Sequence, residues 1–474
     1  MTEMADFDAD VIVVGGGISG LACACRLQRE GVDVLVLEAA PTAGGAISSL
    51  RKDGLLLEAG PNSTLDTTPL IGALLKSVGI TEERIAPTAA ARNRYILREG
   101  RLIAMPMSPV ALATTGLFSM NAKLRLLREP FIPRGPAEGE ESVGDFVRRR
   151  LGDEFLDYAI NPFVAGVYAG DPGQLSVKAA FPRLFALEQK YGGLIRGQIL
   201  GARDRARNPE RSKQAAAMLS FRDGMQTLTD AIARHLRRVE VDCDVKSVTP
   251  QSPGFLIKTV TKGAQREFRA GVLVIATPAT PAAALIEAFA PSAADALKAI
   301  QYPPVAVVIS AYRRDKVAHP LDGFGVLVPQ CERRVILGTI FSSTLFERRA
   351  PEGQVLLTTF VGGMRQPDLA QRTEEEIAGV AQSEQAALLG AAPRADFIRV
   401  KRWPRAIPQY SIGHLDRIAR VEETEAAHPG LFFCANYRGG ISVGDCIKSA
   451  DRTAGQVIES LAATRGKAAV RASN

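Results

Sequence analysis

The sequence has few of the residues from which metal centres and redox dithiols are built. It contains four histidines, none of them at metal-ligand spacing. Its six cysteines include no C-x-x-C pair, and a chain of this size does not need disulfides, so a reducing compartment is expected. No uninterrupted apolar run reaches the roughly 18 residues that span a bilayer. These absences argue against a metalloenzyme, a disulfide scaffold and an integral membrane protein.

Signals for targeting and for hydrolytic catalysis are also lacking. The first ten residues, MTEMADFDAD, are acidic and lack a basic region followed by an apolar core, so we expect neither a secretory signal nor a transit peptide. No Ser-His-Asp order with a nucleophile elbow and no glycosidase-like carboxylate pair stands out. The expected location is the cytoplasm, with the protein either soluble or attached peripherally to the cytoplasmic face of the membrane.

The composition is that of a soluble globular protein, with 474 residues, 46% hydrophobic and 23% charged. This length is too great for one core, so two or three domains are expected. The net charge is +7, and residues 196–213 hold six basic residues against two acidic ones. This basic segment is a candidate contact for anionic lipid or an acidic substrate, although a solvated surface is the simpler interpretation. No aromatic residue is interleaved with it, which argues against nucleic acid.

Residues 10–38, DVIVVGGGISGLACACRLQREGVDVLVLE, predict a strand, a glycine turn, a helix and a second strand that ends in an acid. Gly15, Gly17 and Gly20 fit G-x-G-x-x-G, which allows a tight turn, close approach to a pyrophosphate and close helix packing. The helix N-terminus is expected to face the phosphates. Glu38 lies where a carboxylate binds ribose hydroxyls. The stretch therefore predicts a dinucleotide-binding βαβ unit.

Glycine turns recur in the next part of the chain. Gly44 and Gly45 form one turn, and residues 60–63 form another after a short buried strand. Beside a dinucleotide site, such turns indicate that the backbone approaches the cofactor closely.

The rest of the chain alternates between helical and strand patterns. Residues 92–102 predict a hairpin, and residues 110–127 a moderately amphipathic helical stretch that is a candidate for a membrane surface. Residues 302–360 contain several alternating strands, as in an antiparallel sheet. A strand, a glycine turn and a long helix over residues 430–458 predict that the chain returns to its first domain.

The stretches VVGGGISGLA, LEAGPNS, GVYAGDP, AIPQY-x-x-GHL and NYRGGISVGDCI resemble those of protoporphyrinogen oxidases, within the wider group of FAD-dependent amine-oxidase-like enzymes. They run from residue 13 to residue 447 and so cover nearly the whole chain. VVGGGISGLA alone is typical of the whole group. The more specific stretches are GVYAGDP, AIPQY-x-x-GHL and NYRGGISVGDCI.

The resemblance implies an α/β plus α+β architecture with three parts. These are a Rossmann-like FAD-binding domain of discontinuous segments, a substrate domain with a mixed sheet, and a helical domain that associates with membranes. The expected segments are residues 1–88, 218–280 and 400–474 for the FAD domain, 89–100 and 281–399 for the substrate domain, and 101–217 for the helical domain.

The resemblance also implies noncovalent FAD, because no cysteine lies between residues 401 and 428, where some relatives attach the flavin. The expected FAD contacts lie in the glycine turns, at the end of the second strand, and at three later positions. They are Gly15, Gly16, Gly17, Ile18, Ser19, Gly20, Glu38, Ala39, Gly45, Ala46, Gly60, Pro61, Asn62, Ser63, Val245, Trp403, Gly440, Ile441 and Ser442.

For the substrate, the resemblance implies a porphyrinogen that is oxidised with O2, without a catalytic acid or base. Arg94 matches the arginine that binds a propionate in the family, and Asn62 lies beside the flavin. Residues 166–171, which include Gly170, are expected to form part of the pocket wall through their backbone, with a structural turn as the alternative interpretation. The apolar contacts expected for the macrocycle are Phe324, Leu327, Ile340 and Phe360. Without the resemblance, strand core is the simpler interpretation of these four residues.

Several alternatives stay open. The substrate is protoporphyrinogen IX or, by the same mechanism, coproporphyrinogen III. More distant candidates are a flavin amine oxidase, a carotenoid desaturase and a protein that uses flavin structurally without catalysis. Besides porphyrinogen and O2, the candidate partners are a membrane surface, other enzymes of the tetrapyrrole pathway and a second copy in a homodimer.

Overall fold

The computed structural model describes residues 7–135, 138–201 and 216–472. Most β-strands belong to two large sheets. The strands are β1 Ala9–Val14, β2 Val34–Leu37, β3 Ser49–Lys52, β4 Leu55–Glu58, β5 Thr64–Leu65, β6 Arg84–Ile85, β7 Asn93–Arg98, β8 Arg101–Ala104, β9 Met218–Phe221, β10 Val239–Glu240, β11 Cys243–Pro250, β12 Phe255–Thr261, β13 Ala264–Ile275, β14 Val305–Arg313, β15 Gly323–Leu327, β16 Ile336–Ile340, β17 Gln354–Gly362, β18 Phe397–Trp403 and β19 Leu431–Phe433.

The α-helices cover the two sheets and fill a region between residues 109 and 200. They are α1 Ile18–Arg29, α2 Pro69–Ser77, α3 Pro109–Thr114, α4 Met120–Leu126, α5 Val143–Arg150, α6 Asp153–Phe155, α7 Asn161–Tyr168, α8 Val177–Ala180, α9 Pro182–Tyr191, α10 Leu194–Leu200, α11 Gln226–His235, α12 Ala279–Ile286, α13 Pro291–Lys298, α14 Ser342–Leu345, α15 Glu374–Leu389, α16 His414–Ala427 and α17 Val443–Ala472. A π-helical stretch, Leu156–Ile160, joins α6 to α7.

The first sheet, which we call the nucleotide sheet, has the strand order β10-β2-β1-β13-β12-β11, with β19 also paired to β13. β1 pairs in parallel with β2 and β13, as expected for a βαβ unit. Alternate residues of β1 face opposite layers: Val11 and Val13 pack with α1 and α17, whereas Ile12 and Val14 pack with α12 and α13. Helices therefore cover both faces, and the predicted return of the C-terminus to the first domain is confirmed.

The second sheet has the order β18-β14-β17-β16-β15-β7-β8 and is mixed, because β7 runs parallel to β15. One face packs against α15 through an apolar cluster that includes Val326, Val361 and Ile377. The opposite face, which we call the inner face, packs against α7 and the helical region. The predicted hairpin is present as β7 and β8, with a turn at Glu99 and Gly100, both at positive φ.

The segments differ from the predicted domain boundaries at three places. β8 and β18 belong entirely to the second sheet, although the predicted boundaries fell at residues 100 and 399. α12 and α13 pack against the nucleotide sheet through their alanine- and leucine-rich faces, not against the second sheet. Sheet membership depends on partners distant in sequence, and no local pattern signals it.

The stretch at residues 110–127 does not form one helix. α3 ends at Thr114, Thr115 is extended at ψ 144°, and α4 begins after the cap residue Ser119. The Lys123 ammonium donates to the carbonyl oxygens of Ala113 and Thr115, which holds the two short helices together. In the described part of the chain, no helix combines the length and apolarity needed to cross a membrane.

Candidate functional site

The turn between β1 and α1 is closely packed at Gly15 and Gly20 and open at Gly17. Gly15 has a φ of +110°, which favours glycine, and a Cβ on Gly20 would lie 2.0 Å from the Gly15 carbonyl oxygen. A Cβ on Gly17 would meet nothing within 4 Å. Gly17 caps α1 without a side-chain hydrogen bond. The N–H groups of the first turn are therefore left for a ligand such as phosphate.

Glu38 holds this turn against the end of β2. The Gly16 N–H donates to Glu38 Oε2 at 2.6 Å, and the Ala40 N–H donates to Glu38 Oε1 at 2.8 Å. The Cys243 N–H donates to the Glu38 carbonyl oxygen at 2.9 Å, which places the start of β11, and with it Val245, near the same edge. Ala39 is exposed beside the acid. The ribose contact of Glu38 stays a prediction, and the turn itself already uses the carboxylate.

Two further glycine turns pack against the first. The Gly44 N–H donates to the Gly16 carbonyl oxygen at 2.8 Å, and a Cβ on Gly45 would lie 3.1 Å from the Gly17 Cα. A Cβ on Gly60 would lie only 1.8 Å from the Ala46 carbonyl oxygen. The predicted contacts in residues 15–20, 45–46 and 60–63 therefore lie on one continuous backbone surface.

Trp403 and residues 440–442 reach this surface from the far end of the chain. The Trp403 indole N–H donates to the Ala59 carbonyl oxygen at 2.8 Å, next to Gly60. Residues 440–442 precede α17, which packs along α1. Gly444, at the start of α17, lies against Thr67 Oγ1 and the Leu65 carbonyl oxygen. This places the second helix N-terminus beside the chain that follows residue 63.

On the inner face of the second sheet, the strand register brings together side chains that are distant in sequence. One row across the strands runs through Ile96, Leu327, Gly338 and Phe360. The next row runs through Arg94, Gly325 and Ile340. Cross-strand partners share a face, so Leu327, Ile340 and Phe360 form an apolar floor with Arg94 at one side.

Phe324 joins this floor through a β-bulge. The pairing of β15 with β7 skips Phe324, and Gly325 has a φ of +153°. The Arg94 guanidinium lies 6.0 Å from the centroid of the Phe324 ring, while Arg94 itself is exposed. The guanidinium is therefore free of the strand core, and its contact with a substrate carboxylate stays a prediction.

Phe360 connects the floor to the backbone surface of the glycine turns and to α7. Phe360 packs with Leu55, Leu57 and Trp403, whose indole bonds to Ala59. On the other side, Phe360 packs with Ala165 and Ala169 of the helical region. The floor therefore lies between the glycine turns and α7.

Gly170 does not lie on this floor. It is buried, and a Cβ there would lie 2.5 Å from Gln409 Oε1. Gly166, one turn earlier, is the exposed glycine that faces the floor, since its Cβ would lie 2.7 Å from Leu327 Cδ2. The two glycines differ because α7 ends at Tyr168 and the left-handed Ala169, at φ +49°, turns the chain before Gly170.

Comparisons with known proteins agree with this arrangement. The family profile described as flavin containing amine oxidoreductase matches residues 18–458. This chain belongs to the flavin-containing amine oxidoreductases. It is 33% identical to the mitochondrial protoporphyrinogen oxidase of Nicotiana tabacum, over 95% of each chain. It is 27% identical to the coproporphyrinogen III oxidase of Bacillus subtilis, over 94% of this chain and 97% of the relative.

A crystal structure from Exiguobacterium sp. 255-15 has the same fold, with a TM-score of 0.80 at 23% identity, and covers 95% of this chain and 98% of that one. The cofactor of this flavin-containing oxidoreductase is a flavin, and the residues fit its dinucleotide form. The open space at Gly17 and the bare helix N-terminus suit a pyrophosphate. The backbone of residues 45–46 and 60–63 extends the same surface.

Two buried groups of this oxidoreductase escaped the sequence analysis. Arg349 is buried between Ser220 Oγ, at 2.8 Å, and the Glu58 carboxylate, at 4.0 Å. Burial raises the pKa of the Glu58 carboxyl, and Ser49, Met225 and Arg349 offset part of that rise. Ser220 in turn donates to the Asn62 carbonyl oxygen at 3.1 Å. Arg349 lies in the sequence RRAP at residues 348–351, which gives no indication that the arginine is buried.

The other missed group is Tyr410 with His414, from the stretch AIPQYSIGHL. Their rings stack at a centroid distance of 4.1 Å. The motif was visible in the sequence, but its contacts were not.

Most of the basic segment, residues 202–213, lies outside the described residues. Among the residues that the structure does describe, no cluster of histidine, cysteine and acidic side chains is arranged to hold a metal ion.

Proposed function

We propose that this flavin-containing oxidoreductase oxidises a porphyrinogen to a porphyrin, with protoporphyrinogen IX as the preferred substrate. The observation that carries this proposal is the apolar floor of Leu327, Ile340 and Phe360 with Arg94 at its side. A porphyrinogen is a large apolar macrocycle whose formal charges are its carboxylates. A broad apolar surface with a guanidinium at one side suits such a molecule.

The chemistry asks little of the protein beyond binding and orientation. When bound, FAD supplies the acceptor for a hydride at N5 and passes two electrons to O2 in each of three rounds, with peroxide as product. The glycine turns and Glu38 hold the dinucleotide noncovalently. Asn62 is buried on the turn beside the expected flavin position, with its carbonyl oxygen fixed by Ser220. Arg94 orients the substrate through a propionate, so that one meso carbon faces the flavin.

Similarity supports the same conclusion. Relatives at 33–36% identity that match nearly all of this chain are protoporphyrinogen oxidases of plants. Coproporphyrinogen III oxidases match at lower identity, 26–27%. Coproporphyrinogen III is the second candidate substrate, and its four carboxylates call for more cationic groups than two do.

The direct test mixes the purified holoprotein with protoporphyrinogen IX and with coproporphyrinogen III in separate reactions under air. Porphyrin fluorescence and peroxide are followed. We expect both to rise with protoporphyrinogen IX at the higher kcat/KM. A higher kcat/KM with coproporphyrinogen III would reverse the substrate assignment. A yellow protein that is inert with both, but active with an amine or a carotenoid, would overturn the proposal, and a yellow protein inert with all of them would indicate a structural flavin.

We also propose that the helical region attaches the protein peripherally to the cytoplasmic face of a membrane. Supporting this, large apolar side chains around α3 and α4 are exposed, including Val110 at 74%, Leu127 at 68% and Phe131 at 79%. Exposed apolar side chains of this kind can insert at the boundary between the lipid headgroups and the acyl chains of a membrane. Cosedimentation with anionic and neutral lipid vesicles tests this. Leu127→Glu with Phe131→Glu should release the protein, while Val241→Glu, at an exposed apolar residue of the nucleotide sheet's edge, should not.

A further inference from the structure

Three stretches of the sequence, in which only residues 166–171 and Gly440 had expected contacts, lie together in one cluster. They are GVYAGDP at residues 166–172, PQYSIGH at residues 408–414 and NYRGG at residues 436–440. We call the cluster of Tyr168, Gln409, Tyr410, His414 and the turn at residues 436–440 the tyrosine junction. Tyr168 and Tyr410 belong to the apolar cluster of the helical region, and Ile441 packs against that cluster.

Tyr410 lies at the centre of the tyrosine junction, almost fully buried. Its hydroxyl donates to the Asn436 carbonyl oxygen at 2.7 Å and accepts from the Gly440 N–H at 2.9 Å. One hydroxyl thus bridges both ends of the 436–440 turn. Loss of the bridge leaves two backbone groups without this partner.

The turn contains two glycines, and other segments hold its middle residues: Arg438 forms an ion pair with Glu425 at 2.8 Å, and Tyr437 is fully buried. Gly439 and Gly440 have φ of +86° and +119°, conformations that glycine adopts easily and also leaves easily. A Cβ on Gly440 would lie 2.6 Å from Asp445, so a stiffer residue does not fit there. The turn therefore depends on contacts from outside itself.

The side of Tyr410 away from the turn is held by the helical region. The Ser176 N–H donates to the Tyr410 carbonyl oxygen at 2.8 Å. The Tyr410 and Tyr168 ring centroids lie 6.1 Å apart, and the Gln409 amide donates to the Tyr168 carbonyl oxygen at 2.8 Å. The backbone of Tyr410 is thus tied to one region while its hydroxyl is tied to the other.

His414 supports the same arrangement. Its ring stacks on Tyr410, and its Nε2 donates to the Tyr437 carbonyl oxygen at 2.9 Å. Burial lowers the pKa of His414 to about 4, so the imidazole is neutral at physiological pH. A neutral ring with its proton on Nε2 holds the turn at a second point.

We infer that Tyr410 is a positioning residue for the flavin, which fixes the turn before α17 in its binding shape and couples it to the helical region. The inference rests on the flavin cofactor and on the predicted FAD contacts at residues 440–442, not on the identity of the substrate. The observation behind it is the double hydrogen bond of one buried hydroxyl across a turn that contains two glycines.

Tyr410→Phe tests this, because it keeps the ring stack and removes only the hydroxyl. The dissociation constant for FAD, measured by titrating apoprotein and following flavin fluorescence, should rise roughly three- to thirtyfold. The absorption spectrum of the bound flavin should also change. Tyr168→Phe is the matched control: it removes a neighbouring hydroxyl, bonded to the Ala180 carbonyl oxygen at 3.2 Å, that does not touch the turn.

A second measurement guards against a general loss of structure. Hydrogen exchange of peptides covering residues 436–442 should speed up in Tyr410→Phe, while peptides from β1 and β13 stay unchanged. An FAD dissociation constant and flavin spectrum equal to those of the wild type would overturn the inference. So would faster exchange throughout the nucleotide sheet, or an equal loss of affinity in Tyr168→Phe, because either result would make the effect one of packing.

Discussion

The glycine turns and the apolar floor are built in opposite ways. In the turns, backbone atoms form the expected binding surface, and the glycines of these turns all lie within residues 15–60. In the floor, the surface is made by side chains from four strands, and Arg94 and Phe360 are separated by more than half of the chain. A backbone surface tolerates few changes of residue, because a Cβ at Gly20 or Gly60 would collide with a carbonyl oxygen, and one at Gly15, Gly44 or Gly45 would lie only 3.0–3.1 Å from a backbone atom. A side-chain surface changes one residue at a time. We therefore expect substitutions in the turns to act all or none and substitutions on the floor to act by degrees.

Gly20→Ala should have the largest effect. The new Cβ would lie 2.0 Å from the Gly15 carbonyl oxygen, so α1 must move away from the sheet. We expect a loss of roughly 3–5 kcal/mol in the free energy of unfolding or a failure to fold. Gly72→Ala is the matched control in α2, where a Cβ meets nothing within 4 Å. That control should be neutral or stabilising by up to about 1 kcal/mol. Equal thermal stability of the two variants would contradict the packing seen in the turn.

Gly17→Val should keep the fold intact and abolish binding of the cofactor. Gly17 has φ of −74° and ψ of 175°, an extended conformation that valine adopts without strain, and the space beyond it is open. The side chain would then fill the place expected for the pyrophosphate. We expect soluble, colourless protein with apoprotein stability close to that of the wild type. Purified protein that is still yellow, with an unchanged flavin spectrum, would show that the pyrophosphate binds elsewhere.

The tyrosine junction, which belongs to neither the glycine turns nor the floor, should make stability depend on pH through His414. Burial lowers its pKa to about 4, against about 6.5 when unfolded, with Arg417 lowering it further and the Tyr437 carbonyl opposing. A depressed pKa means that the stabilisation is present above pH 6.5 and is lost as the pH falls toward 4. The loss is about 3 kcal/mol at most. Denaturant unfolding of the apoprotein at pH 7.5 and pH 5 measures it. His414→Gln should lose this part of the pH dependence, and an identical profile for both proteins would refute it.

Arg94→Ala should have the smallest and most local effect. The loss of one charged hydrogen-bond partner at an exposed site should raise KM for the porphyrinogen about five- to a hundredfold, or roughly 1–3 kcal/mol. Binding of FAD should not change. Arg94→Lys should raise KM less than Arg94→Ala does, because an ammonium keeps the charge but not the planar fork of the guanidinium. Arg101→Ala, at an exposed arginine of the same hairpin, is the control. If Arg94→Ala and Arg101→Ala have the same KM for the porphyrinogen, the propionate is bound by another residue.

The sequence predicted the nucleotide sheet well because its signals are local. G-x-G-x-x-G, the apolar strands on either side of it and the acid at Glu38 are close in sequence, and each has a direct structural meaning. The hairpin of β7 and β8 was predicted for the same reason, since its turn at Glu99 and Gly100 joins two adjacent strands.

Local sequence patterns could not predict which side chains form the floor. That Leu327 lies beside Phe360 depends on the register of three strands, and irregular pairing within β15 and β16 shifts that register. The resemblance pointed to Phe324 and Ile340 as substrate contacts, which stay predictions, and the expectation for residues 166–171 did not distinguish Gly166 from Gly170. The break between α3 and α4 was missed because an amphipathic pattern continues across Thr115.

The order in which β1, β13 and β19 occur along the chain has a consequence for how the protein is made. β1 leaves the ribosome early, but its parallel partner β13 is complete only once Ile275 has been synthesised. β19, which pairs with β13, is complete only at Phe433. The second sheet likewise holds its early hairpin unpaired until β15 is synthesised. During synthesis, apolar strand edges therefore remain uncovered for most of the translation time, when nascent chains are most open to misassociation. Neither sheet is formed from one continuous segment, and a nascent chain that stalls after residue 403 but before residue 431 has every strand of the second sheet and still lacks β19 of the nucleotide sheet.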